Sequence, residues 1–292
     1  EALTAIAADH EARTGRKIVL TFGASGLLRE RIEQGEPAQV FASADTEHPR
    51  RLAAGGGWQA PVVFTRNALC ALTTDRLDAT PGTLLATLLR ADVRVGISTP
   101  RSDPAGDYAW ALFGKADAVQ AGATAALRAK AKPLTGAADS PRPPAGRGTY
   151  AWIMDQGQAD VFLTYCTNAV AAQKDVPRLK IVAVPDTLQV GAAYGLTVRV
   201  GAPAPAADFA QALLAPSAQA ALARLAPVSS AALPAAAAQA LTADEDPLMG
   251  LTLEYAPDPS LDPALGVEPA LALAGAAVVI TATVRNLGMA ES

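Results

Sequence analysis

Residues 17–44 read as a strand, a glycine-flanked turn, a helix and a second strand, and this alternation constrains the fold more than any other feature of the chain. Lys17-Ile18-Val19-Leu20-Thr21-Phe22 is apolar and β-branched, the composition of a strand. Gly23-Ala24-Ser25-Gly26 follows. From Leu27 the apolar residues Leu27, Leu28 and Ile32 recur at helical spacing, with Arg29, Glu30, Arg31 and Glu33 between them. Beyond the turn Gly35-Glu36-Pro37, residues 40–44 form a second short strand closed by Asp45. With a helix over residues 3–11 ahead of it, this α-β-α-β order predicts an α/β fold, a parallel sheet covered by helices. Ligands of such sheets collect at the carboxyl ends of the strands, where Ser25 and Ser43-Ala44 fall. Ser25 is expected at the helix N-cap, its hydroxyl accepting from first-turn amides, in a turn open enough to admit a small anion.

The alternation continues downstream. Strands are predicted over 61–64, 68–72, 94–98, 160–165, 180–184 and 192–198. Helices are predicted over 83–90, 149–156 and 209–225, with another opening near Ala105-Gly106. Residues 134–148 are rich in Pro and Gly and read as a long loop. Past about residue 229 the composition changes: 231–243 is an alanine-rich helix or linker, Asp244-Glu245-Asp246 is acidic, and the proline-rich "EYAPDPSLDPALG" is linker-like. The apolar stretch 270–284 contains Gly275 and two threonines and falls short of the roughly 20 residues that cross a bilayer as a helix, so it is read as core strand.

Composition decides among broad functions. A chain of 292 residues, half of them apolar and 18% charged, has the size of two domains and material for a sizeable core. A net charge of −4 leaves no footprint for nucleic acid. The two histidines, His10 and His48, lack metal-ligand spacing and are read as solvated surface residues, so neither a metal site nor a cofactor is expected. Cys70 and Cys166 form no C-x-x-C motif; they pair in an oxidising compartment or lie as buried thiols in a reducing one, and sequence leaves both open. The chain opens on Glu1 without an apolar leader, which fits a processed export protein or a trimmed chain. "GASGL" lacks the last glycine of G-x-S-x-G, and no Walker loop is present, so binding is expected rather than catalysis. Asp103, Asp107 and Asp160 are read as helix caps and surface charge, Arg66 and Arg101 as solvated, and Trp58, Trp110 and Trp152 as core. A cleft lined by Trp110 or Trp152 would instead point to an organic anion.

The longer motifs carry a resemblance. "FGASGLLRERIEQGEPAQVFASAD", "TRNALCAL", "VGISTPRSDPAGDYAWALF", "DQGQADVFLTYCTNAV" and "LLAPSAQAALARL" occur in the order in which they stand in the periplasmic molybdate-binding proteins of ABC importers, within the type II class of two-lobed solute-binding proteins, which residues 1–230 resemble. That resemblance implies a two-lobed architecture with parallel-sheet lobes, lobe one from 1–65 and 192–230, lobe two from 66–191, and hinge strands near 63–72 and 190–198. It implies a monomer that captures a tetrahedral oxyanion, molybdate or tungstate, in the interlobe cleft and delivers it to a membrane permease. It further implies ligand contacts at Ser25, at the backbone amide of Ala105, at the Tyr165 hydroxyl and at Arg147 or Gly148, with Ala44 close by. The family's opening strand, with its own ligand serine, has no counterpart among these residues, and one strand position of lobe one is left open. Gln39, where the family commonly has Asp, and Cys166 are further departures. Residues 231–292 are expected to be a linker and a C-terminal extension of β character. "VVITATVRNLGMAES" resembles the opening strands of an Ig-like adhesion sandwich, as in a surface module, or supplies the strand that lobe one lacks.

Overall fold

A computed structural model describes residues 2–224 and the backbone of a strand at 277–282. In chain order the elements are α1 (Ala2–Thr14), β1 (Ile18–Gly23), α2 (Ser25–Glu33), β2 (Val40–Ser43), α3 (Glu47–Ala54), β3 (Val62–Asn67), β4 (Leu69–Thr73), α4 (Leu84–Leu89), β5 (Val95–Ser98) and α5 (Pro104–Ala116). There follow α6 (Ala123–Lys130), β6 (Lys132–Thr135), α7 (Thr149–Asp155), β7 (Val161–Tyr165), α8 (Cys166–Asp175), β8 (Lys180–Ala183), β9 (Ala192–Val198), α9 (Ala204–Leu214), α10 (Pro216–Arg224) and β10 (Ala277–Ala282). Of the linker and C-terminal extension expected over 231–292, all but 277–282 lies outside the described residues.

Two five-stranded sheets organise the molecule, one ordered β1-β10-β2-β9-β3 and the other β6-β5-β7-β4-β8. Neither is uniformly parallel: every pair in the first is antiparallel, and the second is mixed. In the first, β1 and β2 run in the same direction, as the β-α-β alternation requires, but they do not touch. β10 lies between them, antiparallel to both, with Ile18 opposite Ala282 and Val40 opposite Ile280. The tail therefore fills the open strand position of this sheet, and the described part of it does not begin a separate sandwich. In the second sheet β5 is parallel to β6 and β7, while β4 runs against β7 and β8.

Both faces of each sheet are covered, and the period of two along a strand assigns the cores. On β2, Val40 and Ala42 join Ile6, Phe209 and Leu213 beneath α1 and α9, whereas Phe41 joins Leu28, Leu52 and Trp58 beneath α2 and α3. On β4, Leu69 and Ala71 face α5 with Leu112 and Phe113, and Cys70 and Leu72 face α7 and α8 with Ile153 and Ala169. Cys70 is bonded to Cys166, the first residue of α8, which settles the open question of the two cysteines as a disulfide spanning 96 residues.

Three expectations change. His10 and His48 are buried, each only 3% exposed, not solvated. His10 continues the Leu3, Ile6, Ala7 stripe of α1 and meets the Phe209 ring edge-on at 5.2 Å. The helix expected over 209–225 is two helices, because Pro216 holds Ala215 in an extended conformation (φ −65°, ψ 149°). Trp110 is 41% exposed beneath the Arg128 guanidinium and Trp152 packs on the α7–α8 core, so each tryptophan has a partner of its own.

Candidate functional site

The ends of β1, β2, β5 and β7 meet where the two sheet units face each other. Ser25 is fully buried at the first position of α2, and Ala24, not Ser25, is the N-cap. A residue already inside the helix cannot fold its side chain back onto the first-turn amides, so the expected capping bond is not made. Instead the Ser25 hydroxyl oxygen accepts from the backbone N–H of Ala44 at 3.1 Å, which leaves its own proton to donate. Ala44 follows β2 and is 1% exposed. Its carbonyl accepts from the Tyr165 hydroxyl, the last residue of β7, at 2.8 Å. Ser25, Ala44 and Tyr165 thus form one hydrogen-bonded chain that crosses from the first sheet unit to the second.

A second crossing lies beside it. The Gly26 N–H donates to the carbonyl of Ser102 at 2.8 Å, and a Cβ on Gly26 would sit 2.4 Å from the Arg101 carbonyl oxygen. Arg101 itself holds φ at 70°, unusual for a residue with a side chain, with its N–H on an Asp107 carboxylate oxygen at 2.9 Å. Asp103 caps α5, accepting from Ala105 N–H at 3.0 Å. The amide that the resemblance offers to a ligand at Ala105 is therefore held by a carboxylate of the chain itself.

Three tyrosines border this crossing. The Tyr165 ring meets Tyr108 at 6.1 Å and Tyr194 at 5.3 Å, both edge-on, and Asn67 donates to the Tyr194 hydroxyl at 3.0 Å. Burial pushes the hydroxyls of Tyr165 and Tyr194 well above their ordinary range and that of Tyr108 to about 12, so all three stay neutral. On the side of the first sheet, burial lowers the His48 imidazole despite Asp45 beside it. Arg147 stands in a different setting. Its guanidinium pairs with Asp155 at 3.2 Å and Asp175 at 3.4 Å, lining a pocket of about 400 Å³ with Val176, Pro177 and Arg178. The backbone N–H of Arg147 goes to the Pro144 carbonyl and that of Gly148 to Asp175. Among the described residues no group of three or more His, Cys, Asp or Glu is arranged to hold a metal ion.

Desolvation raises Asp103 from 3.8 to about 6, against the pull of the Ala105 amide and the Ser98 hydroxyl. The native chain then holds this proton at a pH where the unfolded chain has lost it, so stability falls as pH rises from about 4 to 6. Asp103→Asn keeps the cap and removes the ionisation. It is expected to leave stability near pH 4 unchanged and to raise it by about 3 kcal/mol above pH 7, read from urea unfolding across that range.

A model of the bacterial extracellular solute-binding protein family matches residues 1–224. The chain belongs to this family. It is 36% identical over 181 residues to the uncharacterized protein PM1146 of Pasteurella multocida, an alignment covering 62% of this chain and 75% of that one. Among solved structures, the periplasmic molybdate-binding protein of Azotobacter vinelandii superposes with a TM-score of 0.60 at 19% identity, over 77% of this chain and 92% of that one. PEB3 of Campylobacter jejuni with bound L-phospholactate does so with a TM-score of 0.59 at 17% identity, over 77% and 93%. These likenesses show the fold, a two-lobed α/β architecture. The Ser25–Ala44–Tyr165 crossing joins its two sheet units. No described helix is long and apolar enough to cross a membrane.

Tyr108, Tyr194 and Asn67 were not singled out by sequence reasoning. Tyr108 stands in a helix of apolar spacing and Tyr194 in the central strand β9, where an aromatic reads as core.

Proposed function

We propose that this chain is the periplasmic component of an ABC importer and that it captures a small oxyanion between its lobes. The lobes comprise 1–65 with 192–230 and 66–191, joined by hinge strands near 63–72 and 190–198. The observation that carries the reading is the Ser25–Ala44–Tyr165 chain, which joins strand ends of both lobes and leaves the proton of the buried Ser25 hydroxyl to donate. An oxyanion offers acceptors only, and neutral donors at a helix start complement it without the cost of burying a second charge. A ligand held by both lobes favours the closed state, which a membrane permease then recognises. Molybdate and tungstate are the tetrahedral oxyanions that the family resemblance supports. A small organic anion is the second reading, favoured by the Tyr108, Tyr165 and Tyr194 rings beside the crossing.

Thermal unfolding of the full chain with molybdate, tungstate, sulfate, phosphate and small phosphate monoesters tests this. A ligand at a hundred times its Kd adds about 2.7 kcal/mol to the native state, a rise in midpoint of about 5–10 °C for a chain of this size. Ser25→Ala is expected to abolish the rise by removing a donor. The absence of a shift with every anion would remove the reading.

A further inference from the structure

His10 is a titratable side chain in a position built for an apolar one. The buried residues of α1 are Ile6, Ala7 and His10, so the imidazole is a principal part of the stripe on which the helix docks. Neither its Nδ1 nor its Nε2 has a hydrogen-bond partner. Ile6 and Ala7 share their core with Phe209 and Leu213 of α9, and the Phe209 ring lies 5.2 Å from the imidazole. A neutral imidazole carries one donor and one acceptor into this setting, whereas an imidazolium carries two donors and a charge. The charged groups around it offer no relief. Asp9 pairs with Arg13 on α1 at 3.0 Å, and Asp208 on α9 pairs with Arg16 just past α1. Each acid that would favour the cation is thus matched by a base that opposes it. Glu11 accepts from the Ile18 N–H, α10 brings only Arg224 to its packing on α1, and β1 carries no charged side chain.

We propose that His10 is a proton-operated release for α1: on taking up a proton it undocks the helix from α9 and uncovers the apolar core that the two helices share over the first sheet. The proposal concerns how that sheet is covered and stands apart from the oxyanion reading. Burial, with Arg13 next, lowers the docked imidazole below its ordinary value of 6.5, and the released side chain regains that value. The sign follows from this difference. Docking is fully favoured above pH 6.5 and weakens as the pH falls, because the undocked helix binds the proton that the docked helix resists. At about pH 5 a released imidazole is protonated in roughly thirtyfold excess, which bounds the gain in release at about thirtyfold over neutral pH.

The test is amide hydrogen exchange of the full chain at about pH 7.5 and about pH 5, resolved by residue and corrected for the intrinsic rate. Global unfolding would mix this effect with the opposite trend of Asp103, so α1 is read against α8, which buries no histidine. Acidification is expected to reduce the protection of α1 at least about tenfold relative to α8. His10→Leu keeps the stripe apolar and is expected to show no such reduction. Equal behaviour of the two helices in the native chain, or an undiminished reduction in the variant, would overturn the proposal. The imidazole resonance of His10 in the native chain decides the matter if the variant folds poorly. Proton uptake below pH 6.5 in step with the loss of α1 protection supports the release, and uptake while α1 stays protected overturns it.

Discussion

Replacing Gly26 with alanine is expected to hold the cleft open. The new Cβ would lie 2.4 Å from the Arg101 carbonyl oxygen and 2.7 Å from that of Ser102, and both belong to the backbone of the opposite lobe. A flexible side chain can move aside, but a carbonyl in a turn that already holds Arg101 at a φ of 70° cannot shift by the distance required. The lobes must separate to admit one methyl group. The internal packing of each lobe is untouched, because α2 keeps its contacts to Phe41 and Leu52 through Leu28 on its other side. Closure is expected to lose about 3 kcal/mol, at the upper end of overpacking costs, and ligand affinity about a hundredfold. Small-angle scattering would show an enlarged radius that added ligand no longer reduces, while the circular dichroism of the helices stays native. A radius equal to that of the native chain would refute the argument.

Removal of the Cys70–Cys166 bond is the second large effect. The bond closes a loop of 96 residues, and restricting an unfolded chain over that length stabilises the native state by about 4–5 kcal/mol in the chain-entropy account. The paired substitutions Cys70→Ala and Cys166→Ala, or reduction by dithiothreitol, are expected to lower the melting midpoint by about 10 °C. The loss should be larger than for any single cap or surface ion pair. Because Cys166 directly follows Tyr165, reduction is also expected to weaken ligand binding beyond its effect on folding. Melting curves with and without reductant read the first effect, and calorimetric titration well below the midpoint reads the second. A bond of this kind suits the oxidising compartment in which an extracytoplasmic binding protein works.

Much of this was legible in the residues, for reasons that differ from element to element. Ser25 and Ala44 lie at strand ends, where short apolar runs stop against Gly and Asp, so local pattern marks them, whereas Tyr165 is marked by the family motif alone. The capping role of Ser25 is not legible, because a one-residue shift in helix start moves a serine from cap to first turn, and composition cannot resolve one residue. His10 fell on the buried stripe of α1 by simple spacing, a signal that its polarity concealed. The break between α9 and α10 is written in Pro216, a signal that the longer periodicity across it masks. The pairing of the cysteines depended on how β4 and α8 approach each other, which no spacing encodes.

The position of β10 has a consequence for how the molecule is made. Every strand of the second sheet comes from residues 69–183, a continuous stretch whose partners emerge from the ribosome close together in time. The first sheet instead pairs residue 18 with residue 282, so β1 waits for more than 250 further residues before its neighbour exists. Contacts so distant along the chain are slow to form, and until they do β1 and β2 present open edges to any extended segment nearby. Synthesis thus imposes an order in which one half matures early and the other stays vulnerable until β10 is made. Chaperone dependence and aggregation of nascent chains would concentrate in the half that carries Ser25.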